Sequence, residues 1–104
     1  MLQQTFTEKV YRIVARIPEG KVMTYGQVAV LAGSAGAARA VGMCMKNNPD
    51  TTIVPCHRVV ASNGDLTGYS GGQGVKTKKE KLLSEGVIFD GERVDLDESQ
   101  WTIE

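Results

Sequence analysis

The chain has 104 residues, with 12 basic and 12 acidic side chains, one histidine and two cysteines, which suits one small domain with a modest core. No apolar run approaches a membrane span, and Lys9, Arg12 and Arg16 interrupt the apolar positions of the first segment, so neither a transmembrane helix nor a secretory signal is expected. The zero net charge hides a split: residues 1–81 carry eleven Lys/Arg against five Asp/Glu, and residues 82–104 one against seven. A basic body suits a polyanion such as nucleic acid, although two ordinary solvated surfaces would give the same count.

Phe6, Val10, Ile13, Val14 and Ile17 recur at helical spacing and predict a helix over 4–17, ended by Pro18 and Gly20. A short extended piece, "KVMTY", follows. Thr24 and Gln27 form a T-x-x-Q capping box that opens a second helix, with Val28 and Leu31 inward and Gly33 as its stop. Ser34 is the expected cap of a third helix over 35–46, so the two helices make a helix-turn-helix candidate. The third helix's stretch "SAGAARAVG" is almost all Ala and Gly, with Arg39 the only long side chain. Such a face suits either tight packing in a core or close approach to another surface, with Arg39 as a probe.

Residues 51–62, "TTIVPCHRVVAS", are β-branched and read as a strand, with a tight turn at Asn63-Gly64. "TGYSGGQG" lacks the Gly-Lys-Ser/Thr end of a phosphate loop and reads as a connector or a loop beside a site. "KTKKEKLLSEG" reads as a helix stopped by Gly86, and "VIFDGERVDL" as a hairpin turning at Asp90-Gly91. Trp101 lies in the tail, and no repeat or second domain is visible across 1–104.

Cys56 and His57 are the chemically suggestive pair. A free cysteine, with a pKa of about 8.5, needs a base or a positive field to act as a nucleophile. In a regular strand, however, neighbouring side chains point to opposite faces. Contact therefore needs a bend, a bulge or a bridging water, and Pro55 already argues against a regular central strand. Glu85 is the candidate acceptor that would orient His57. Taken by residue type alone, Cys56 reads as a buried structural thiol ahead of a nucleophile. In a reducing compartment Cys44 and Cys56 are expected as free thiols, and no zinc site is expected from their spacing.

"AARAVG", "NNP" eight residues before the cysteine, "PCHRVV", "GYSGG" and "SEG" occur in one order. Together they resemble the C-terminal, active-site domain of the O6-alkylguanine-DNA alkyltransferases (methylated-DNA–protein-cysteine methyltransferases), over roughly residues 4–90. The resemblance implies a mainly α fold with short strands, a winged helix-turn-helix DNA-binding domain. It implies single-turnover transfer of an alkyl group from guanine O6 in duplex DNA to Cys56, without cofactor or metal. His57 resembles the residue that deprotonates the thiol through a water, Glu85 the acid that orients it, and Asn48 the asparagine that braces the site. Tyr69 and Ser70 resemble the loop residues that contact the damaged base. Arg39 resembles the arginine that replaces the flipped nucleotide in the stack, and Tyr25 the tyrosine that crowds the target phosphate. Ala37, Ala40 and Gly42 would form the bare face laid in the minor groove.

Full-length members of the family commonly carry a further N-terminal domain. Small alkyltransferase-like relatives bind the same lesions without repairing them and flag them for nucleotide excision repair. This chain resembles the small proteins in size but keeps the cysteine and "GYSGG". It departs from the family pattern at Met43, where a second Gly often stands, and in extra length before Glu85. A winged-helix regulator with a structural cysteine would explain the charge and the helices, but not the joint occurrence of "PCHRVV", "NNP" and "GYSGG". The expectation is a monomer in the cytoplasm (nucleoid-associated), or in the nucleus of a eukaryote, with damaged duplex DNA as partner and no membrane.

Overall fold

The computed structural model describes residues 5–67 and 73–102. Helix α1 (Phe6–Val14) starts at Thr5, where side chain and backbone exchange hydrogen bonds with Glu8 in a capping box. It ends short of the expected residue 17, yet Ile17 is still buried beyond its end, beside Val10 and Val14 in the core.

Strand β1 (Met23–Thr24) runs directly into helix α2 (Tyr25–Leu31), whose Thr24–Gln27 capping box is formed as expected. The apolar face of α2 is Val28, Ala29 and Ala32, not Leu31, which is 43% exposed. At 100° per residue, 28, 29 and 32 form one stripe and 31 lies off it. Ser34 does not cap the next helix. Its N–H donates to Ala29 and the Gly33 N–H donates to Val30, so Ser34 closes α2 in a Schellman motif. Its carbonyl then accepts from Ala37, and helix α3 (Ala38–Lys46) begins only after that turn, with no side-chain cap. α1, α2 and α3 pack together, and Val41, Cys44 and Met45 of α3 complete the core with α1 and α2.

The expected strand over 51–62 is mostly absent. Residues 51–53 turn, Cys56–Arg58 form a 3-10 turn, and only strand β2 (Val59–Val60) is extended. Pro55 has no N–H to give a ladder and precedes the turn, which explains the break. β2 pairs in parallel with β1, Met23 opposite Val59 and Thr24 opposite Val60. Helix α4 (Val75–Ser84) ends in a second Schellman motif, in which Val87 N–H donates to Leu82 and Gly86 N–H to Leu83. Strands β3 (Phe89–Asp90) and β4 (Arg93–Val94) form the expected hairpin around Gly91, the wing. A second cluster, centred on Val22, Val60, Leu82 and Val94, joins the wing and α4 to the β1–β2 pair.

The tail does more than its composition suggests. Helix α5 (Leu96–Ser99) is capped by Asp95. Beyond it Val22 N–H donates to Ser99 and Trp101 N–H donates to Val22, which draws the tail alongside β1 and seats Trp101 against the main core.

Gly64 closes the turn after β2 at φ +88°, and its carbonyl accepts from Val94. A Cβ there would collide with the Val94 carbonyl oxygen. Gly33 has the same φ with open space around it. Gly33→Ala should therefore cost about 1–2 kcal/mol of backbone strain. Gly64→Ala should cost at least about 1–3 kcal/mol more because β4 must also move. Urea denaturation of the two variants checks this order.

Candidate active site and nucleic-acid interface

The 3-10 turn places Cys56 and His57 about 120° apart around its axis, rather than on opposite faces as a strand would. Both side chains are buried at 7% exposure. Asn48 steadies the approach to this turn: its amide nitrogen donates to the Val54 carbonyl at 2.7 Å, and its oxygen accepts from the Asp50 N–H. The two cysteines are free thiols, and Cys44 lies in the main core with its sulfur 3.7 Å from the Thr7 hydroxyl.

Glu85 is the C-cap of α4, so the Schellman turn at Gly86 fixes where its side chain starts. Its Oε2 is 3.0 Å from His57 Nε2. Both carboxylate oxygens also face Arg58, which donates from Nε to Oε1 at 2.9 Å and from Nη2 to Oε2 at 2.6 Å. Arg58 Nη1 meanwhile donates to the Ile17 carbonyl at 2.8 Å. Burial works to raise the Glu85 pKa, but the bonds from Arg58 and His57 outweigh it and hold the group below the ordinary glutamate value as a carboxylate. A carboxylate can only accept, so His57 Nε2 must carry a proton.

Burial also dominates at His57 and brings its pKa below the ordinary value. Glu85 pulls the other way, while the charges of Arg58 and Lys81 add to the lowering. The imidazole is therefore neutral at pH 7, with its lone pair on Nδ1. That Nδ1 is buried and has no hydrogen-bond partner among the described residues.

Lys78 is a participant that sequence reasoning passed over within the "KTKKEK" run. It is 1% exposed, and its ammonium donates to the Val59 carbonyl at 2.7 Å and the Thr67 carbonyl at 2.9 Å. Burial lowers its pKa to about 8, and the charge it carries is favoured by an anionic Cys56. Tyr25 OH donates to the same Thr67 carbonyl at 3.1 Å, with the Lys78 nitrogen 5.8 Å from the ring centre. The signal available in the sequence was position: Lys78 lies four residues before Leu82, on its buried face. Arg58 was likewise missed, although it sits inside "PCHRVV".

Arg39 and Ala40 project from the exposed face of α3, and Arg39 makes no hydrogen bond or ion pair among the described residues. A groove of ≈ 550 Å³ runs beside them, lined by Tyr25, Ala38, Arg39, Gly42, Met43, Lys46 and Thr67. Of the three small residues expected on a bare face, Gly42 lines this groove, Ala40 is exposed outside its lining and Ala37 packs partly against the core, while Ala38 also lines the groove. Tyr69 and Ser70 lie outside the described residues. Among those described, no group of three or more His, Cys, Asp or Glu gathers in a metal-binding arrangement.

A helix-turn-helix with a wing defines a DNA-binding class of domain, and here it also holds a buried cysteine followed by a histidine bonded to a carboxylate. Residues 5–87 match the family described as "6-O-methylguanine DNA methyltransferase, DNA binding domain". The chain is 48% identical over 84 residues to a methylated-DNA–protein-cysteine methyltransferase of Salmonella typhimurium, covering 81% of this chain and 48% of that protein. It is 42% identical over 100 residues to a DNA base-flipping protein of Escherichia coli, covering 95% of this chain and 76% of that one. The crystal structure of S. pombe Atl1 in complex with damaged DNA containing O6-carboxymethylguanine superposes with a TM-score of 0.83 at 37% identity, covering 99% of this chain and all of that one. The chain belongs to the O6-alkylguanine-DNA alkyltransferase family, and it spans about half the length of the methyltransferase relatives it matches.

The Lys78 pKa carries a stability consequence. It is about 8 in the fold and about 10.4 in an unfolded chain, so the unfolded state binds more protons between these values. The cost of burying the charge is present in full below pH 8 and is relieved as pH rises towards 10, by about 3 kcal/mol at most. Lys78→Met has no such term. Urea midpoints at pH 7 and pH 9.5 should therefore show wild type gaining on the variant at the higher pH; a constant gap would contradict it.

Proposed function

We propose that this protein binds alkylated DNA and transfers the alkyl group from guanine O6 to Cys56 once per molecule. The observation that carries this reading is His57, next in the chain to the buried Cys56 and held by Glu85 through Nε2, with an Nδ1 that has no partner among the described residues. That arrangement supplies a base with nothing else to do. The thiol proton passes to Nδ1, through a bridging water as the family resemblance implies. The thiolate attacks the alkyl carbon, the S–C bond forms as the C–O6 bond breaks, and the bonding pair leaves on guanine, which takes up a proton. Tyr69, by resemblance, supplies that proton. Asn48 holds the backbone that leads into the reactive turn.

The target atom lies inside the duplex stack, so the nucleotide must be extruded. Arg39 is exposed to enter the stack, and Ala38 and Gly42 leave the groove wall low beside it. Arg39 and Lys46 add the phosphate attraction that positions without reading sequence.

A second reading is recognition without transfer, the protein marking lesions for excision repair. The relatives keep it open: the chain is similar to S. pombe Atl1 and to the E. coli DNA base-flipping protein as well as to the methyltransferases. Intact-mass analysis after incubation with a duplex containing O6-methylguanine separates the two. Transfer predicts one added methyl mapped to Cys56 and none in Cys56→Ala. Tight lesion binding without mass change would support the second reading.

Glu85→Gln probes the base. An amide has one acceptor oxygen where the carboxylate had two, so one of the three donors from Arg58 and His57 must face its NH2, and the charge that holds the imidazole is lost. The single-turnover rate should fall by about 100-fold or more with lesion affinity kept. In wild type the rate should hold as pH drops through 6.5 and fall only lower, because the His57 pKa is depressed. Arg39→Ala should slow transfer on duplex DNA with little change in thermal stability.

A further inference from the structure

Met43 is an apolar side chain that the reaction above does not use. It is 55% exposed on α3, one turn from Arg39 on one side and Lys46 on the other, and it lines the same groove. Its neighbours on that wall, Ala38 and Gly42, are small, so Met43 stands above the helix surface. It contributes little to the core. Flanking cations match a polyanion, which makes duplex DNA the occupant of this face and ties the inference to the DNA-binding reading above.

Extruding a nucleotide leaves the apolar faces and edges of the flanking bases open to water. A guanidinium can fill the gap in the stack but covers the sugar and base edges beside it poorly. A methionine is unbranched, polarisable and able to adapt to an irregular surface, and methionine is among the side chains that wedge into base steps. We propose that Met43 is a second wedge beside Arg39: its side chain packs on the opened base step and its deoxyribose, and so prolongs the extruded state. Because it carries no charge, it acts without releasing counterions.

The test uses the full chain in a Cys56→Ser background, so that binding is read without transfer. Two duplexes are titrated, one with O6-methylguanine and one with guanine at the same place, each with 2-aminopurine beside the target to report unstacking. Met43→Ala should weaken binding to the damaged duplex about tenfold and reduce the fluorescence rise. Affinity for the undamaged duplex should stay within about twofold, and the dependence of log K on log salt should not change slope. Met43→Leu should restore most of the loss, and thermal melts of all three proteins should coincide. Equal losses on both duplexes, a reduced salt slope, or no effect on the damaged duplex would overturn the wedge. If the unsubstituted background protein itself fails to distinguish the duplexes, the DNA-lesion reading falls and the wedge with it. Discrimination that survives Met43→Ala unchanged removes the wedge alone.

Discussion

The Glu85 carboxylate is the constraint on which the site depends. It accepts from His57 and twice from Arg58, and Arg58 in turn reaches the Ile17 carbonyl behind it. One anion thus fixes the imidazole tautomer, ties α4 to the 3-10 turn and anchors both to the end of the first helical segment. Removing one partner of such a buried set typically costs about 3–5 kcal/mol, because the remaining charge stays buried without compensation. The same carboxylate is divided among several donors, so it does not pull His57 up into the protonated range; burial prevails. The base is kept neutral by the way its partner is shared.

The Cys56–Arg58 turn and helix α2 are mechanically one unit. β1 leads straight into α2, β2 leads straight out of the 3-10 turn, and the two pair in parallel. Below them Tyr25 of α2 and Lys78 of α4 meet on the Thr67 carbonyl, immediately before residues 68–72. A shift of α2 against a duplex would therefore be felt at β2 and at Thr67.

The helices were legible because their signals are local. The capping box at Thr24–Gln27, the stops at Gly33 and Gly86 and the hairpin at Asp90-Gly91 depend on a few adjacent residues. Ser34 misled because a serine before a helix reads as a cap, while its backbone was needed by the Schellman closure of α2. Residues 51–58 misled because β-branched composition says strand, while Pro55 and the Asn48 brace impose turns. Within the site, Cys56, His57 and Glu85 were readable through motif order, and Glu85 does reach His57 across 28 positions. Arg58 and Lys78 were not, since their partners are backbone carbonyls and a carboxylate supplied by distant segments.

Family membership leaves transfer and bare recognition as two uses of one frame, and the proposed transfer requires a His57 lone pair able to take up the Cys56 proton. The most direct measurement is the protonation state of the His57 ring by 15N NMR, on a sample labelled at its one histidine, at pH 7. Nε2 should be protonated and Nδ1 bare, with the ring charging only below the ordinary histidine range. A proton on Nδ1, or an imidazolium at pH 7, would contradict the account.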